Sequence, residues 1–158
     1  MFGQDIANIP LFQGLRPDQI NLIRPLLEVY RFPQNRVVFG QGDSAEHLYV
    51  VIVGQVVINY KPYDGPTITV TRVSPGGVFG WSAALGHAHY TSSAVCSLPT
   101  EVYRIAGQDL NCLCKNHPET GTIILEHLAN VIAERLESTH ALILKILGEG
   151  ITENGGCP

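Results

Sequence analysis

The side chains best suited to chemistry in this sequence gather just past its midpoint. His87-Ala88-His89 sets two imidazoles two residues apart. On a strand that spacing puts both on one face, where a transition metal could be held between them. Two imidazoles alone leave a metal short of ligands, and a carboxylate or a third imidazole from a facing strand would be the kind of group to complete it. After His89 the chain reads Tyr90-Thr91-Ser92-Ser93-Ala94-Val95-Cys96, and the first acid, Glu101, comes too far along. Of the remaining histidines, His47, His117, His127 and His140, only His47 falls among strand-like runs. The pair therefore reads as part of a solvated loop, and no metal is expected. The cysteines Cys96, Cys112, Cys114 and Cys157 form no CxxC pair, so they read as reduced thiols with no zinc knuckle or disulfide framework. Cys96 lies in an apolar run and behaves as a small buried hydrophobe. No nucleophile–base pair stands out, so the chain does not read as an enzyme.

The elements that must position these residues change character twice along the 158 residues. From Asp5 to Tyr30 the pattern is helical, with Ile20, Ile23, Leu26 and Leu27 at helical spacing. Pro17 suits a first helical turn, and Pro25 predicts a break. From Phe32 the apolar runs become short and β-branched: Val37–Phe39, Leu48–Val53, Val56–Tyr60, Thr67–Val73 and Ala94–Val102. Turn residues separate them, as in Gly40-Gln41-Gly42-Asp43, Gly54-Gln55, Pro62–Gly65 and Pro75–Gly77, which predicts a β sandwich or barrel. From Pro118 to Gly148 the period is helical again, through Ile124, Leu125, Leu128, Ile132, Leu136, Leu142, Ile143 and Ile146. About 30 residues at helical rise span roughly 45 Å, more than one small barrel covers, so the far half is expected to pair with a copy of itself.

Several motifs in order carry a resemblance. Phe12-x-Gly14-Leu15 precedes the first helix, and Gly40-Gln41-Gly42-Asp43 turns between strands. Leu48-Tyr49-Val50-Val51 leads to Gly54-x-Val56, and Pro75-Gly76-Gly77-Val78-Phe79-Gly80 follows. Together, over roughly Ile9 to Leu147, they resemble the cyclic-nucleotide-binding domain of the bacterial Crp-Fnr regulators and of kinase regulatory subunits. The resemblance implies a mainly β fold with flanking helices: a jelly roll at 32–105, N-terminal helices at 1–31, C-terminal helices at 106–148, and a disordered tail at 149–158. It also implies a phosphate-binding cassette opening at Gly80, here Phe79-Gly80-Trp81-Ser82-Ala83-Ala84-Leu85, in which backbone N–H groups at a helix start face an anion.

At two positions the sequence departs from that family. The Glu that usually follows the cassette Gly, and accepts from a ribose hydroxyl, is Trp81, whose indole only donates. The Arg that usually meets the cyclic phosphate about ten residues on is Thr91, which removes a charge-assisted contact. At about 1.5–3 kcal/mol for each bond to a charged group, the two losses predict roughly a hundredfold or more in affinity. The remaining donors are the hydroxyls of Ser82, Thr91, Ser92 and Ser93 and the backbone of Gly80 to Ala83, with His87 and His89 flanking the loop. The predicted ligand-binding set is Phe79, Gly80, Trp81, Ser82, Ala83, Thr91 and Ser92, with cyclic AMP, cyclic GMP or another small anion as occupant. Alternatively the hydroxyls satisfy their own loop and the indole fills the pocket.

The resemblance further implies a sensor whose ligand repositions the long helix, in a homodimer joined through Leu128, Ile132, Leu136, Leu142 and Ile146, acting on a downstream protein in the cytoplasm. A cupin-type metalloenzyme is disfavoured by the metal argument above. A net charge of −4 without a basic cluster leaves no nucleic-acid footprint. About ten residues after Gly148 are too few for a helix-turn-helix, so DNA binding by this chain alone is not expected. No apolar run reaches the roughly 18 residues of a membrane span, and the start shows no signal-peptide pattern. The alternatives are a ligand-free dimeric scaffold and a truncated transcription regulator.

Overall fold

The computed structural model describes residues 6–153. Two single 3-10 turns, Ile6–Asn8 and Pro10–Phe12, begin it and bury Ile6, Ile9, Leu11 and Phe12. Helix α1 covers Pro17–Ile23. Its first turn is closed by the Gln19 side chain, which accepts the Arg16 N–H at 2.9 Å. At Pro25 the helical ladder loses a donor, and Arg24–Leu26 tightens into a 3-10 turn. The helical pattern read from the sequence as far as Tyr30 therefore ends early. Glu28–Phe32 is a strand, β1, because Val29, Tyr30 and Phe32 follow the break with strand-forming side chains and find an open edge to pair with.

Seven further strands follow: β2 (Val37–Phe39), β3 (His47–Val53), β4 (Val56–Tyr60), β5 (Ile68–Val73), β6 (Val78–Phe79), β7 (Ser93–Cys96) and β8 (Thr100–Ala106). They form two four-stranded antiparallel sheets, ordered β1-β8-β3-β6 and β2-β7-β4-β5. The fold is the mainly β, jelly-roll-like architecture with flanking helices that the resemblance implies. One correction concerns Ala94–Val102, read from the sequence as a single strand. It is two strands in different sheets, parted at Ser97–Pro99. Pro99 cannot donate to a ladder, and the corner is fastened by side chains instead: Ser97 Oγ donates to Gln55 Oε1 at 2.8 Å, and Thr100 Oγ1 lies 3.2 Å from the Gln55 carbonyl. Strand β6, with two residues, is too short to leave a periodic signal.

The inner faces of the two sheets enclose one core, with Tyr49, Val51, Phe79, Tyr90, Ala94 and Val102 among its members. The outer face of the β1-β8-β3-β6 sheet packs under the helices in a second core, where Leu48, Val50 and Ile105 meet Leu11, Phe12, Leu110, Ile124 and Leu128. Helix α2 is Gly107–Asn116 and α3 is Pro118–Glu153. A Cβ on Gly107 would collide with the Ala83 carbonyl oxygen, so a glycine lets the start of α2 seat directly against the Trp81–Ala83 turn. Helix α3 passes Gly148, where the sequence predicts its end, because a glycine costs a helix only about 1 kcal/mol and does not forbid it.

The stripe expected to meet a second chain divides. Leu128 is 1% exposed inside this chain's own core, beside Ile124, so it cannot face a partner. The reason is that the first turns of α3 cross the N-terminal segment, where His127 Nδ1 lies 2.9 Å from the Leu11 carbonyl oxygen. Ile132 is half-buried against the same core. Leu136 is 63% exposed. The side chains of Leu142 and Ile146, and the last five residues of the predicted tail, 154–158, lie outside what is described.

Candidate ligand-binding site

One cavity of about 330 Å³ opens between the β2-β7-β4-β5 sheet, the segment after β6, and α3. Its floor is aromatic. Phe79 at the end of β6 is fully buried and stacks on Tyr49, with centroids 4.9 Å apart; Phe39 lies on Tyr90 at 3.6 Å. The Tyr90 hydroxyl is fixed at the backbone of His47, donating to its carbonyl at 2.6 Å and accepting its N–H at 3.1 Å. Burial pushes the Tyr90 phenol up to about 12.

Gly80 follows in the left-handed region, φ +78°. There a side chain would be strained and would also press on the His47 carbonyl at 3.0 Å, Tyr49 at 3.1 Å and Phe39 at 3.3 Å. This reversal turns the chain from β6 into the 3-10 turn Trp81–Ala83 and exposes Trp81 and Ser82 to the cavity. Ile58, Tyr60 and Val70 complete the sheet wall, and Thr91 and Ser92 bring in hydroxyls just before β7.

Of the residues picked out from the sequence, Phe79, Gly80, Trp81, Ser82, Thr91 and Ser92 all line this cavity. Ala83 does not. It is buried against Gly107, and its N–H closes the turn on the Gly80 carbonyl, so it has no donor to offer a ligand. His87 and His89 also lie outside the lining. Both are exposed, held in the loop by a His87 N–H bond to the Ser82 carbonyl and a bridge between His89 and Ser44. Among the described residues no three of His, Cys, Asp and Glu gather as metal ligands. Burial pushes the Cys96 thiol up, in keeping with an inert core position.

The charged lining residue was not anticipated. Arg135, on α3, reaches over the cavity. Its guanidinium carbon sits 4.5 Å from the centre of the Trp81 ring, a cation–π contact, and Nη2 donates to the Val78 carbonyl at 3.1 Å. Burial draws its pKa below the ordinary arginine value, yet a guanidinium stays charged at any physiological pH. Among the described lining residues it is the one charged group. The sequence did hold a signal: Ile124, Leu128, Val131 and Arg135 are spaced 4, 3 and 4 apart, so a cation continues the inward stripe of the helix.

The Tyr90 anchor carries a testable consequence. A phenol whose folded-state pKa lies above its unfolded value stabilises the fold fully below the unfolded pKa and loses that contribution as pH rises through the folded one. Stability is therefore expected to fall between pH 10 and about 12, with a late phenolate step in absorbance. Burial also pushes the Tyr49 and Tyr103 phenols up, so Tyr90→Phe should diminish that step and not abolish it. A Tyr90 titration at the ordinary tyrosine value would contradict the buried anchor.

An aromatic-floored cavity behind a Gly-initiated turn, between jelly-roll sheets and under a long C-terminal helix, is a space shaped to hold a small molecule. Residues 29–117 match the cyclic nucleotide-binding domain model, and the chain belongs to that family. It is 30% identical over 127 residues to the cyclic AMP receptor protein of Thermus thermophilus, covering 80% of this chain and 57% of that protein. It is 29% identical over 135 residues to a CRP-like cAMP-activated global transcriptional regulator of Mycobacterium tuberculosis, covering 85% and 58%. The solved structure of the Thermus thermophilus catabolite activator protein superposes with a TM-score of 0.72 at 29% identity, over 88% of this chain and 63% of that one. The chain thus spans under two thirds of the length of these relatives. Among the described residues no helix is long and apolar enough to cross a membrane.

Proposed function

We propose that this chain is a non-catalytic sensing domain, acting in the cytoplasm, in which occupancy of the cavity is reported through α3. Its response to cyclic nucleotides is weak or altered. One observation carries the reading: Arg135 joins α3 to the cassette and to β6 by touching the Trp81 ring and the Val78 carbonyl. A ligand in the cavity that disturbs either contact bears directly on the helix, and a different helix position with and without ligand would make the two coupled. The absent Glu and Arg side chains, replaced by Trp81 and Thr91, support the altered specificity. Thermal shift with cyclic AMP, cyclic GMP, acetate and phosphate tests the sensing role. Stabilisation by none of them, together with unchanged hydrogen exchange along α3 in their presence, would favour a ligand-free scaffold.

The exposed part of α3 supports a homodimer, the form in which it would pass a signal to a downstream protein. Leu136, one turn past the core-packed Ile132, is 63% exposed and Leu144 55% exposed, and a two-helix seam is self-complementary under two-fold symmetry. Leu136→Glu with Leu144→Glu is expected to give a folded monomer of half the parent's mass by light scattering. A parent chain that is monomeric at high concentration sinks this idea.

A further inference from the structure

Resting on the sensing role above, we propose that the occupant of the cavity is an uncharged, flat aromatic compound that carries hydroxyl and carbonyl groups. The walls favour a ring. Phe39, Phe79 and Trp81 line the space with aromatic side chains, and Ile58, Val70 and Leu136 add aliphatic ones. Rings gain by packing edge to face or offset against other rings, beyond the burial of their apolar area. A volume of about 330 Å³ lies at the small end of small-molecule pockets and suits one ring or two fused rings.

The polar provision is uncharged. Four lining residues, Tyr60, Ser82, Thr91 and Ser92, carry hydroxyls, and a hydroxyl both donates and accepts. They serve a phenol and a carbonyl alike. The Tyr90 hydroxyl stands apart, since the His47 backbone holds it. The one charged lining group is already in use: Arg135 donates to the Val78 carbonyl, lies over the Trp81 ring and makes a further interaction of its own. An entering anion would compete with those contacts while shedding water against apolar walls, and burying an anion without a new partner is costly. A neutral ring packed on the same wall can shift the contact between Trp81 and Arg135 without taking its charge, which is the kind of disturbance the sensing role needs.

Calorimetry at pH 7.5 compares 6-hydroxy-2-naphthamide with three other compounds. These are 6-hydroxy-2-naphthoate, the same frame with a charge, 2-naphthamide, which lacks the hydroxyl, and cyclic AMP. The hydroxylated amide is expected to bind about tenfold tighter than the acid and about threefold tighter than 2-naphthamide. Its affinity should hold when the salt concentration is raised about tenfold, because no ion pair forms with the ligand. Thr91→Val with Ser92→Ala should remove the advantage of the hydroxyl and leave 2-naphthamide binding in place. The comparison among ligands on the unaltered chain stands even if that variant folds poorly. An acid that binds as tightly as its amide overturns the proposal. Equal binding of the two amides does so too, as does cyclic AMP binding tighter than the hydroxylated amide; in each case the sensing role survives. No binding by any of the four compounds overturns the proposal and the sensing role together.

Discussion

Phe79→Ala is expected to destabilise the fold by about 3–5 kcal/mol, the usual cost of deleting a fully buried aromatic ring. Phe79 is wholly inaccessible, stacks on Tyr49 at 4.9 Å and approaches Phe39 at 6.0 Å. It also forms the cavity floor, so its loss enlarges a space that already exists and removes the ring stacked on Tyr49, a poor setting for collapse. Urea unfolding should show a lower midpoint with an unchanged slope. Phe79→Leu, closer in volume, should cost less than the alanine change, since truncation cost grows with the cavity left behind. A loss below about 1 kcal/mol for the alanine variant would mean that the aromatic floor contributes little to stability.

In a calorimetric series, cyclic AMP is expected to bind the unaltered chain no tighter than about 100 μM, roughly −5.5 kcal/mol. The double change Trp81→Glu with Thr91→Arg should tighten it about tenfold or more. Both positions line the cavity, so the introduced carboxylate and guanidinium would face the same ligand. Replacing Trp81 also removes the ring beneath Arg135, and a glutamate there has a cation beside it. Thr91→Arg alone should help modestly, because it adds charge for a phosphate but no acceptor for the sugar. Trp81→Glu alone should help least, because its carboxylate stands near the phosphate and competes for Arg135. Micromolar binding by the unaltered chain would show that Arg135 already supplies what Thr91 lacks. An unimproved double variant would mean that the space is shaped against nucleotides.

The reach of the sequence is clearest at particular residues. Short β-branched and aromatic runs bounded by glycine and proline marked β4, β5 and all of β3 but His47, because strand preference and turn chemistry are local properties. Pro25 announced the break after α1 for an equally local reason. The cassette was legible through Gly80, whose left-handed backbone has few alternatives, and six residues chosen from sequence line the cavity that the fold builds. Ala83 and the loop histidines show where local reading stops. Whether a backbone donor faces a ligand or closes its own turn depends on what packs behind it, and behind Ala83 that is Gly107, more than twenty residues on.

The tertiary structure decided three further things. Leu128 was read as partner-facing, but the crossing of α3 over Leu11 buries it in the chain's own core. Ala94–Val102 became two strands in opposite sheets, since only the assembled sandwich requires a corner there. Arg135 became the charge of the site although it lies over forty residues from Thr91, whose expected charge is missing. A pattern read along one helix gives the face a residue is on. Which object meets that face is set by how the helix is laid on the rest of the chain, and that depends on contacts between residues far apart in sequence.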